Sequence, residues 1–440
     1  MASQKNDKRT IFGWCMYDWA NSAYITTAVG LLPVYFARGI VGEGGITIGG
    51  THVAADALWG FFVGLSSFLA FLTAPVLGAM ADFSAAKKRF LLTFAYTGSL
   101  FTILLYFSRS GDVWRTMLFF LLANFCFISA NVFYDSFLPH ITTDDRMDWV
   151  SGKGYSFGYF GGGLQFAIAL ALMSLHERFG ISQGLAARIG IATAGIWWAG
   201  FTLFTARLLR EPGVRADVPE EYRRWPRPMA YVAIGVRRTA GTVRRIGKFR
   251  QLVLFLVAFM LYDDGIQTVI NMATTYGTVE LGLSPTILML TLLIIQFVAM
   301  GGALLFSRIA QRVGTKRAIM ATLVLWSGVV IYAYFIRTAT EFMTLGIIVG
   351  IVQGGSQALS RSFYGSMVPE EASAEFFGFY TVFTKFSSIW GPWTFALVKQ
   401  TVGSSRTAIL SIVVFFVVGL VLLYRVDETR AREARTSGAF

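Results

Sequence analysis

The sequence predicts an all-α integral membrane protein with twelve transmembrane helices arranged as two six-helix pseudo-repeats. Three observations predict it: the composition, the spacing of apolar runs and the distribution of positive charge. Of the 440 residues, 55% are hydrophobic and only 14% are charged, whereas soluble domains carry about 25% charged residues. Because one membrane-spanning helix needs about 20 mainly apolar residues, a multi-pass membrane protein explains this composition better than a water-soluble enzyme does.

Twelve apolar runs separated by polar breaks are the predicted spans. Every backbone amide in a bilayer must be bonded within its own segment, so these runs are predicted to be helices and not strands. The first run follows three basic residues, as in a signal peptide, but it is too long for one and contains Asp18 and Asn21. It is therefore interpreted as a retained span. The runs cover approximately residues 12–37, 57–81, 90–108, 115–138, 155–177, 186–208, 251–273, 285–307, 318–337, 341–367, 376–398 and 405–425.

The positive charge is unequally divided between the two sides of the membrane. If the N-terminus is cytoplasmic, 28 of the 38 Lys and Arg residues fall on the cytoplasmic side, eight on the other side and two inside helices. This asymmetry predicts that both termini are cytoplasmic, in a cell membrane that we expect to be a bacterial inner membrane. It also explains the net charge of +13 without a nucleic-acid partner.

The longest polar stretch, about residues 207–250, separates the two halves. We predict an N-terminal six-helix bundle at 1–208, a cytoplasmic linker at 209–250, and a C-terminal bundle with a cytoplasmic tail at 251–440. Part of the linker has apolar residues at helical spacing with basic residues at other angles, which favours an interfacial helix on anionic headgroups over a solvated basic linker. The apolar residues are Met229, Val232, Val236, Ala240, Val243 and Ile246, and the basic ones are Arg237, Arg238, Arg244, Arg245 and Lys248.

An internal repeat relates the halves. Residues 133–139 match residues 363–369 at an offset of 230, and the basic loop at 82–88 matches the loop at 311–317 at an offset of 229. The pair Tyr17-Asp18 would correspond to Tyr262-Asp263, with the Gly-rich loop at 39–56 absorbing the longer offset. Chance similarity between apolar segments is the alternative, but the shared register favours the parallel six-helix repeat found in some transporters.

Charged and polar residues inside the predicted helices are the candidate functional groups. A charge at the bilayer centre costs about 2.5–3.5 kcal/mol on insertion scales, so each one present suggests a function. Four acids outnumber two bases, and a shared cavity would leave at least one carboxylate as a candidate proton carrier. The candidates for binding or coupling are Asp18, Asn21, Asp135, Asp263, Asp264, Gln357, Arg361 and Lys385.

The position of each charge along its helix suggests its role. Asp263 and Lys385 are near the centres of their helices and are the best central candidates. Asp18 and Asp135 are close to cytoplasmic ends, where an inner-gate hydrogen bond or a helix cap is as reasonable as substrate contact. Arg361 could hold a carboxylate in bidentate fashion or form a structural ion pair with Asp18 or Asp135.

Gly391 and Pro392 are predicted to interrupt the eleventh helix beside Lys385, because proline removes a backbone donor. This step is a candidate hinge, with a plain packing distortion as the alternative. The three histidines are far apart in the sequence, and neither a metal-binding pattern nor a Ser/His/Asp set is present. We therefore predict no catalytic residue, no metal and no cofactor, and the chain is not predicted to be an enzyme.

Several segments together resemble the major facilitator superfamily, and within it the vacuolar amino-acid effluxer branch associated with autophagy in fungi and its bacterial relatives. The resemblance covers nearly the whole chain and implies two bundles that rock around a central cavity. It also implies that the loop containing Asp82, Lys87 and Lys88 latches the cytoplasmic side, although Ala85 replaces the usual glycine of that loop. The segments that carry the resemblance are residues 17–23, 131–135 with Leu138-Pro139, 158–162, 357–362, 375–380, and Lys385 with Ser387, Ser388, Gly391 and Pro392.

The expected function is secondary active transport of a small solute by alternating access. An amino acid or similar zwitterion is the expected substrate, with Arg361 or Lys385 holding its carboxylate and Asp18 or Asp263 its amine. Protons are a candidate second partner. One alternative is a proton-coupled exporter of drugs or amphiphilic metabolites, and another is a membrane sensor or scaffold that transports nothing. The sequence gives no oligomeric state.

Overall fold

The computed structural model describes residues 5–42, 45–212 and 218–436. The predicted N-terminal bundle, linker and tail also include residues 1–4, 43–44, 213–217 and 437–440, which lie outside the described residues. Described residues are overwhelmingly helical. Two short strands, β1 (Ile46–Ile48) and β2 (Thr51–Val53), form an antiparallel hairpin before the second span, with Ile46 opposite Val53.

The first half contains eight helices, with a π-helical turn at Phe36–Val41 between the second and third. They are α1 (Lys8–Gly30), α2 (Leu32–Tyr35), α3 (Ala55–Ser84), α4 (Lys87–Leu104), α5 (Val113–Ser136), α6 (Leu138–Ile141), α7 (Met147–Ser174) and α8 (Gln183–Leu208).

The linker and second half contain ten more helices. They are α9 (Arg227–Arg245), α10 (Arg250–Val279), α11 (Pro285–Val313), α12 (Thr315–Phe335), α13 (Ala339–Met367), α14 (Ser373–Phe386), α15 (Trp390–Val402), α16 (Ser405–Ser411), α17 (Val413–Tyr424) and α18 (Glu428–Thr436).

Two of the predicted spans are broken helices, whereas α16 and α17 together form one span, Ser405–Tyr424. By length and composition, ten described helices could cross a membrane, and the pair formed by α1 and the segment Leu32–Val41 raises the number to eleven. That pair bends by 43°, so the predicted continuous first span at 12–37 is wrong in this detail. The predicted eleventh span is divided into α14 and α15. With these two corrections, the described helices fill all twelve predicted positions.

The same pattern of helix neighbours occurs in both halves. In the first half α1 packs on α8, and α4 packs on α5 and α8; in the second half α10 packs on α17, and α12 packs on α13 and α17. The halves meet where α3 contacts α14 and where α7 contacts α11. Each contact has its counterpart at the repeat position, so the chain folds as two six-helix pseudo-repeats. The exact boundaries of the two bundles stay a prediction.

Local sequence signals fix several helix ends. The Asp7 carboxylate accepts a hydrogen bond from the Thr10 backbone N at 2.9 Å and so caps the start of α1. Thr338 and Glu341 form a reciprocal capping box at the start of α13. At the end of α3, Ala85 adopts a left-handed conformation with φ of 47°, which a residue with a Cβ atom tolerates poorly. This is the position where the resemblance described above implies glycine.

We call the side of the bundle that carries the start of α1, the α3–α4 turn, α9 and α18 the basic face, and the other side the opposite face. The α9 helix covers the predicted amphipathic segment except for Ile246 and Lys248, which lie in the 3-10 turn Ile246–Phe249. The side chain of Ile246 lies outside the described residues. One side of α9 packs on α3, where a Cβ atom on Gly235 would lie 2.7 Å from Met80 Cγ. Another part of α9 approaches α14, where Arg238 lies 4.0 Å from Glu375, and the side with Met229, Val232, Val236 and Val243 is exposed.

Candidate functional site

A cavity of about 470 Å³ lies between the two halves. Its wall extends from Asp18 and Arg361 in the interior to Val29 at the end of α1 and Phe342 at the start of α13, which lie toward the opposite face. Seven of the eight predicted candidates line it: Asp18, Asn21, Asp135, Asp263, Gln357, Arg361 and Lys385.

Arg361 of α13 joins the two halves at the inner end of this cavity. Its Nη1 donates to Asp135 Oδ1 at 3.0 Å and to Asp18 Oδ2 at 3.4 Å. Its Nε donates to Ser151 Oγ at 3.0 Å and its Nη2 to the Ser151 carbonyl at 2.9 Å. The three partners come from α1, α5 and α7, so one buried side chain of the second half binds three helices of the first. Of the two roles left open by the sequence, the ion pair is the one present in the structure.

Aromatic rings enclose the same guanidinium. The Arg361 Cζ atom lies 4.8 Å from the ring centre of Trp14, 5.3 Å from that of Tyr134 and 4.1 Å from that of Tyr155. Such contacts favour a cation over an aromatic face. The Tyr134 hydroxyl also donates to Asp18 Oδ2 at 2.9 Å. Four of the five N–H donors of this guanidinium and its faces therefore already have partners in the protein.

The sequence alone did not identify these aromatic partners or Ser151. A usable signal was present for two of them, since Tyr134 lies in the same short segment as Asp135, and Tyr155 lies on the glycine-rich stretch of α7. On that stretch small residues leave the tyrosines as the large side chains that can reach a neighbouring helix.

Asp263 and Lys385 form a different arrangement in the second half. The Asp263 carboxylate accepts hydrogen bonds from Ser387 Oγ at 2.6 Å and from Gln267 Nε2 at 3.4 Å, both neutral donors. Lys385 lies in the last turn of α14 and also lines the cavity. Within the described ranges it forms no ion pair, although Asp263 acts on it electrostatically. The cavity thus presents a carboxylate and an ammonium that are not bound to each other.

Neutral polar side chains complete the wall. Asn21 Nδ2 donates to Asn131 Oδ1 at 2.7 Å, and the Tyr159 hydroxyl donates to Gln357 Oε1 at 2.5 Å. The second contact crosses between the halves, because Tyr159 is on α7 and Gln357 is on α13. Both predicted amide residues therefore reach the cavity, each already hydrogen-bonded.

Asp264 does not line the cavity, in contrast to the sequence-based expectation. Its two carboxylate oxygens both accept from the Gly391 backbone N at 3.0 Å, so this side chain caps the start of α15. A Cβ atom at residue 391 would lie 2.9 Å from Asp264 Oδ1. The glycine permits this close approach of two helices, and the carboxylate holds the broken helix beside Lys385.

The break in the eleventh span precedes the predicted hinge. Helix α14 ends at Phe386 and α15 begins at Trp390, so the interruption covers residues 387–389. Gly391 and Pro392 lie in the first turn of α15, where the missing N–H of proline removes no helical hydrogen bond. Proline here marks the start of a new helix and does not kink a continuous one.

Asp82 and Lys87 connect the α3–α4 turn to the start of α14 at the basic face. Asp82 pairs with the Lys87 ammonium at 2.8 Å and accepts from the backbone N atoms of Ala374 at 3.2 Å and Glu375 at 2.8 Å. A carboxylate is well placed there because the first turn of a helix has unsatisfied N–H groups. Lys87 also donates to Ser373 Oγ at 2.6 Å. This contact closes the basic face between the halves.

Lys88 differs from its neighbour. Its backbone N donates to Glu211 Oε2 at 2.8 Å, just after α8, and the contacts with the second half are made by Asp82 and Lys87. Of the three residues predicted for the gate, Asp82 and Lys87 contact the second half directly. Among the described residues, the Lys88 side chain forms no hydrogen bond or ion pair with the second half that would support its predicted gate role.

Further polar contacts close the basic face, and the sequence did not identify them. Lys5 pairs with Glu370 at 2.6 Å, and Arg435 of α18 contacts Asp144 at 2.9 Å and Glu370 at 2.8 Å. Asp148 accepts from Ser362 Oγ at 2.5 Å and from Thr315 Oγ1 at 2.7 Å. The sequence does contain a signal for these contacts. Two pairs of acidic residues, at 144–145 and 370–371, lie in the turns after α6 and α13, where they could bind basic residues.

Comparison with known proteins agrees with this architecture. The model of the family described as "Vacuole effluxer Atg22 like" matches residues 6–436. The MFS-type transporter YxiO of Bacillus subtilis, which is described as uncharacterized, is 35% identical over 420 residues, covering 94% of each chain.

More distant relatives include a fungal protein and a solved structure. Autophagy-related protein 22-1 of Aspergillus clavatus is 28% identical over 303 residues, and the match covers 64% of this chain and 50% of that protein. This chain therefore spans about half the length of the fungal relative. The crystal structure of the human organic anion transporter MFSD10 superposes with a TM-score of 0.67 at 13% identity, covering 96% of this chain and 100% of that one. The chain belongs to the vacuole effluxer Atg22-like family, and its fold is that of the major facilitator superfamily transporters.

Proposed function

We propose that this protein is a secondary active transporter that moves a small zwitterion, such as an amino acid, by alternating access. The observation that carries the proposal is the pair of opposite charges that Asp263 and Lys385 present to one cavity without forming an ion pair. A zwitterion satisfies both groups at once. Membership of a transporter family supports the transport part of the proposal.

Lys385 is a better candidate than Arg361 for the substrate carboxylate. Arg361 has two carboxylates and Ser151 as partners, so a substrate anion would have to displace one of them from a buried position. Taking one partner away from a buried ion pair is costly. Lys385 needs no such displacement. Its counterpart for the substrate amine is Asp263, whose hydrogen-bond donors are neutral.

The state of the two faces supports alternating access. The cavity extends toward the opposite face, whereas the basic face is closed by the contacts of Asp82, Lys87 and Arg361. A substrate bound at Lys385 would leave through the basic face only after these contacts between the halves had opened. Transporters of this plan move the two repeats as largely rigid bodies around a central site.

The orientation follows from charge. The basic face carries the α3–α4 turn, α9 and α18, all rich in Lys and Arg, and cytoplasmic loops carry the excess of these residues. We place both termini in the cytoplasm of a bacterial cell, in keeping with the Bacillus subtilis relative. The family description names an effluxer, so efflux of amino acids is the activity to test first.

A second candidate is a proton-coupled exporter of amphiphilic compounds. Two observations favour it: the cavity contains three carboxylates against two cations, and its wall includes several aromatic rings. An amphiphilic cation would use the excess negative charge and the apolar wall. The third possibility, a sensor or scaffold, predicts that neutralising Asp263 or Lys385 has no effect on any flux.

Transport by purified protein in liposomes tests the proposal. A panel of labelled amino acids is measured in both directions, with and without a pH gradient, for the wild type, Lys385→Ala and the control Lys399→Ala. Lys399 lies at the end of α15 outside the cavity. We expect flux of at least one amino acid that Lys385→Ala abolishes and Lys399→Ala retains. Absence of flux for the whole panel, or equal flux in Lys385→Ala, overturns the zwitterion proposal.

A further inference from the structure

The α9 helix exposes an apolar stripe on the surface of the bundle. Met229, Val232, Val236 and Val243 recur at helical spacing and face away from α3, with exposed fractions of 47–62%. No part of the protein that the structure describes covers them. The buried side of the same helix, which includes Ala230 and Ile234, is already used against the bundle.

Positive charge accompanies this stripe. Between residues 227 and 250 the chain has seven Arg and Lys residues and no Asp or Glu. Arg244, Arg245 and Lys248 are exposed beside the stripe. A nucleic acid or an acidic peptide would use the cations and leave the apolar side chains in water, whereas the headgroup region of an anionic membrane accepts both.

The other side of α9 reaches the gate. Glu375, near the start of α14, is fully buried, and neither of its carboxylate oxygens has a hydrogen-bond partner in the described structure. Its ion-pair partner is Arg238 of α9, at 4.0 Å. The Glu375 backbone N donates to Asp82. One residue therefore contacts the gate through its backbone and α9 through its side chain.

We propose that α9 binds anionic phospholipid headgroups at the basic face and that its contact through Arg238 with Glu375 makes the closure of this face depend on lipid charge. Leaving a buried carboxylate without its nearby cation is costly. Lipid headgroups that hold α9 against the bundle keep Arg238 near Glu375 and so keep the start of α14 in its place beside Asp82. If α9 leaves the surface, Glu375 loses its cation and the closed state is weakened. Neither step requires that the substrate be an amino acid.

The first test locates α9 relative to the bilayer. In the full-length protein, Val236→Cys is labelled with an environment-sensitive fluorophore, since both native cysteines are buried, and Arg146→Cys serves as an exposed control on another part of the basic face. Quenching by brominated lipid is compared in vesicles of phosphatidylcholine alone and with phosphatidylglycerol. We expect quenching at 236 that increases with phosphatidylglycerol and little at 146. For Arg244→Gln and Arg245→Gln, we expect the equilibrium constant for insertion of α9 into the headgroup region to decrease about fivefold per arginine removed.

The second test measures the coupling. Hydrogen exchange of the backbone amides of Ala374 and Glu375 is followed by mass spectrometry in the same two kinds of vesicle. We expect slower exchange with phosphatidylglycerol in the wild type and in the control Arg146→Gln, and no lipid dependence in Glu375→Gln or Arg238→Gln. Three results would each overturn the proposal. They are no quenching at residue 236, quenching that does not change with the phosphatidylglycerol content, and equal hydrogen exchange of the wild type in both kinds of vesicle. Quenching and hydrogen exchange do not depend on transport. A failure of the lipid proposal can therefore be distinguished from a failure of the proposed transport function.

Discussion

Arg361 of the second half lies 3.0 Å from Asp135 of the first half, at the inner end of the cavity. This ion pair joins two bundles that must separate on the basic side if the protein works by alternating access. The ion pair therefore stabilises the closed state of the basic face in addition to lining the cavity. The arrangement explains why the cavity contains a buried arginine that already has two carboxylates and Ser151 as partners, and it gives the first prediction.

Replacing Arg361 with alanine should destabilise the closed structure strongly. The change leaves Asp18 and Asp135 buried without their cation, which typically costs about 3–5 kcal/mol. Arg361→Lys should not restore stability, because an ammonium cannot make the forked contacts of a guanidinium. Thermal unfolding in detergent measures both variants, with Arg312→Ala, an exposed change on α11, as the control. A melting temperature for Arg361→Ala equal to that of the control would contradict the prediction.

The neighbouring residues Asp263 and Asp264 should respond differently to the same substitution. Asp263→Asn removes the charge offered to the substrate amine, and we expect the apparent affinity to fall by about 10-fold to 100-fold, as for a hydrogen bond to a charged group. Asp264→Asn removes the cap of α15 and should lower the melting temperature while leaving the apparent affinity nearly unchanged. Transport kinetics and thermal unfolding on both variants provide the check. Equal loss of affinity in the two would show that Asp264 also acts in binding.

Lys87 and Lys88 provide a matched pair at the gate. Lys87→Ala removes the ion pair with Asp82 and the hydrogen bond to Ser373, so we expect the closed state to lose about 1.5–3 kcal/mol. Lys88→Ala keeps its backbone bond to Glu211 and should have little effect. Reactivity of a cysteine introduced at Ser366, which is buried near this face, reports opening from the basic side. Faster reaction in the Lys88 variant than in the Lys87 variant would reverse this assignment.

Ala85→Gly should stabilise the protein. The left-handed φ of 47° at this residue costs a residue with a Cβ atom roughly 1–2 kcal/mol, and glycine removes most of this strain. The adjacent change Ala86→Gly is the control, since that residue has a φ of −128° and gains nothing from glycine. We expect a higher melting temperature only for the first variant. A lower one would mean that the methyl group of Ala85 contributes packing that outweighs the strain.

The twelve membrane segments, their all-helical nature and their duplication could be read from the sequence. Each depends on properties distributed along the chain, such as the length of apolar runs, the register of repeated residues and the motifs of the family. The family comparison and the fold of solved structures confirm the all-helical membrane fold of this superfamily, and the described helices are consistent with twelve segments. For the candidate site, the sequence predicted charged and amide residues at approximate depths in the membrane. Seven of these eight residues line one cavity.

Composition and spacing along the chain specify which polar groups the membrane has to accommodate, whereas the packing of the folded helices specifies which of these groups meet. Successive residues of an α-helix point about 100° apart, so Asp263 faces the cavity while Asp264 faces α15. Lys87 and Lys88 diverge for the same reason. Arg361 finds partners on three helices that are far away in the sequence. The physical reason is that helix rotation is set by the packing of all neighbouring helices, which no single segment encodes.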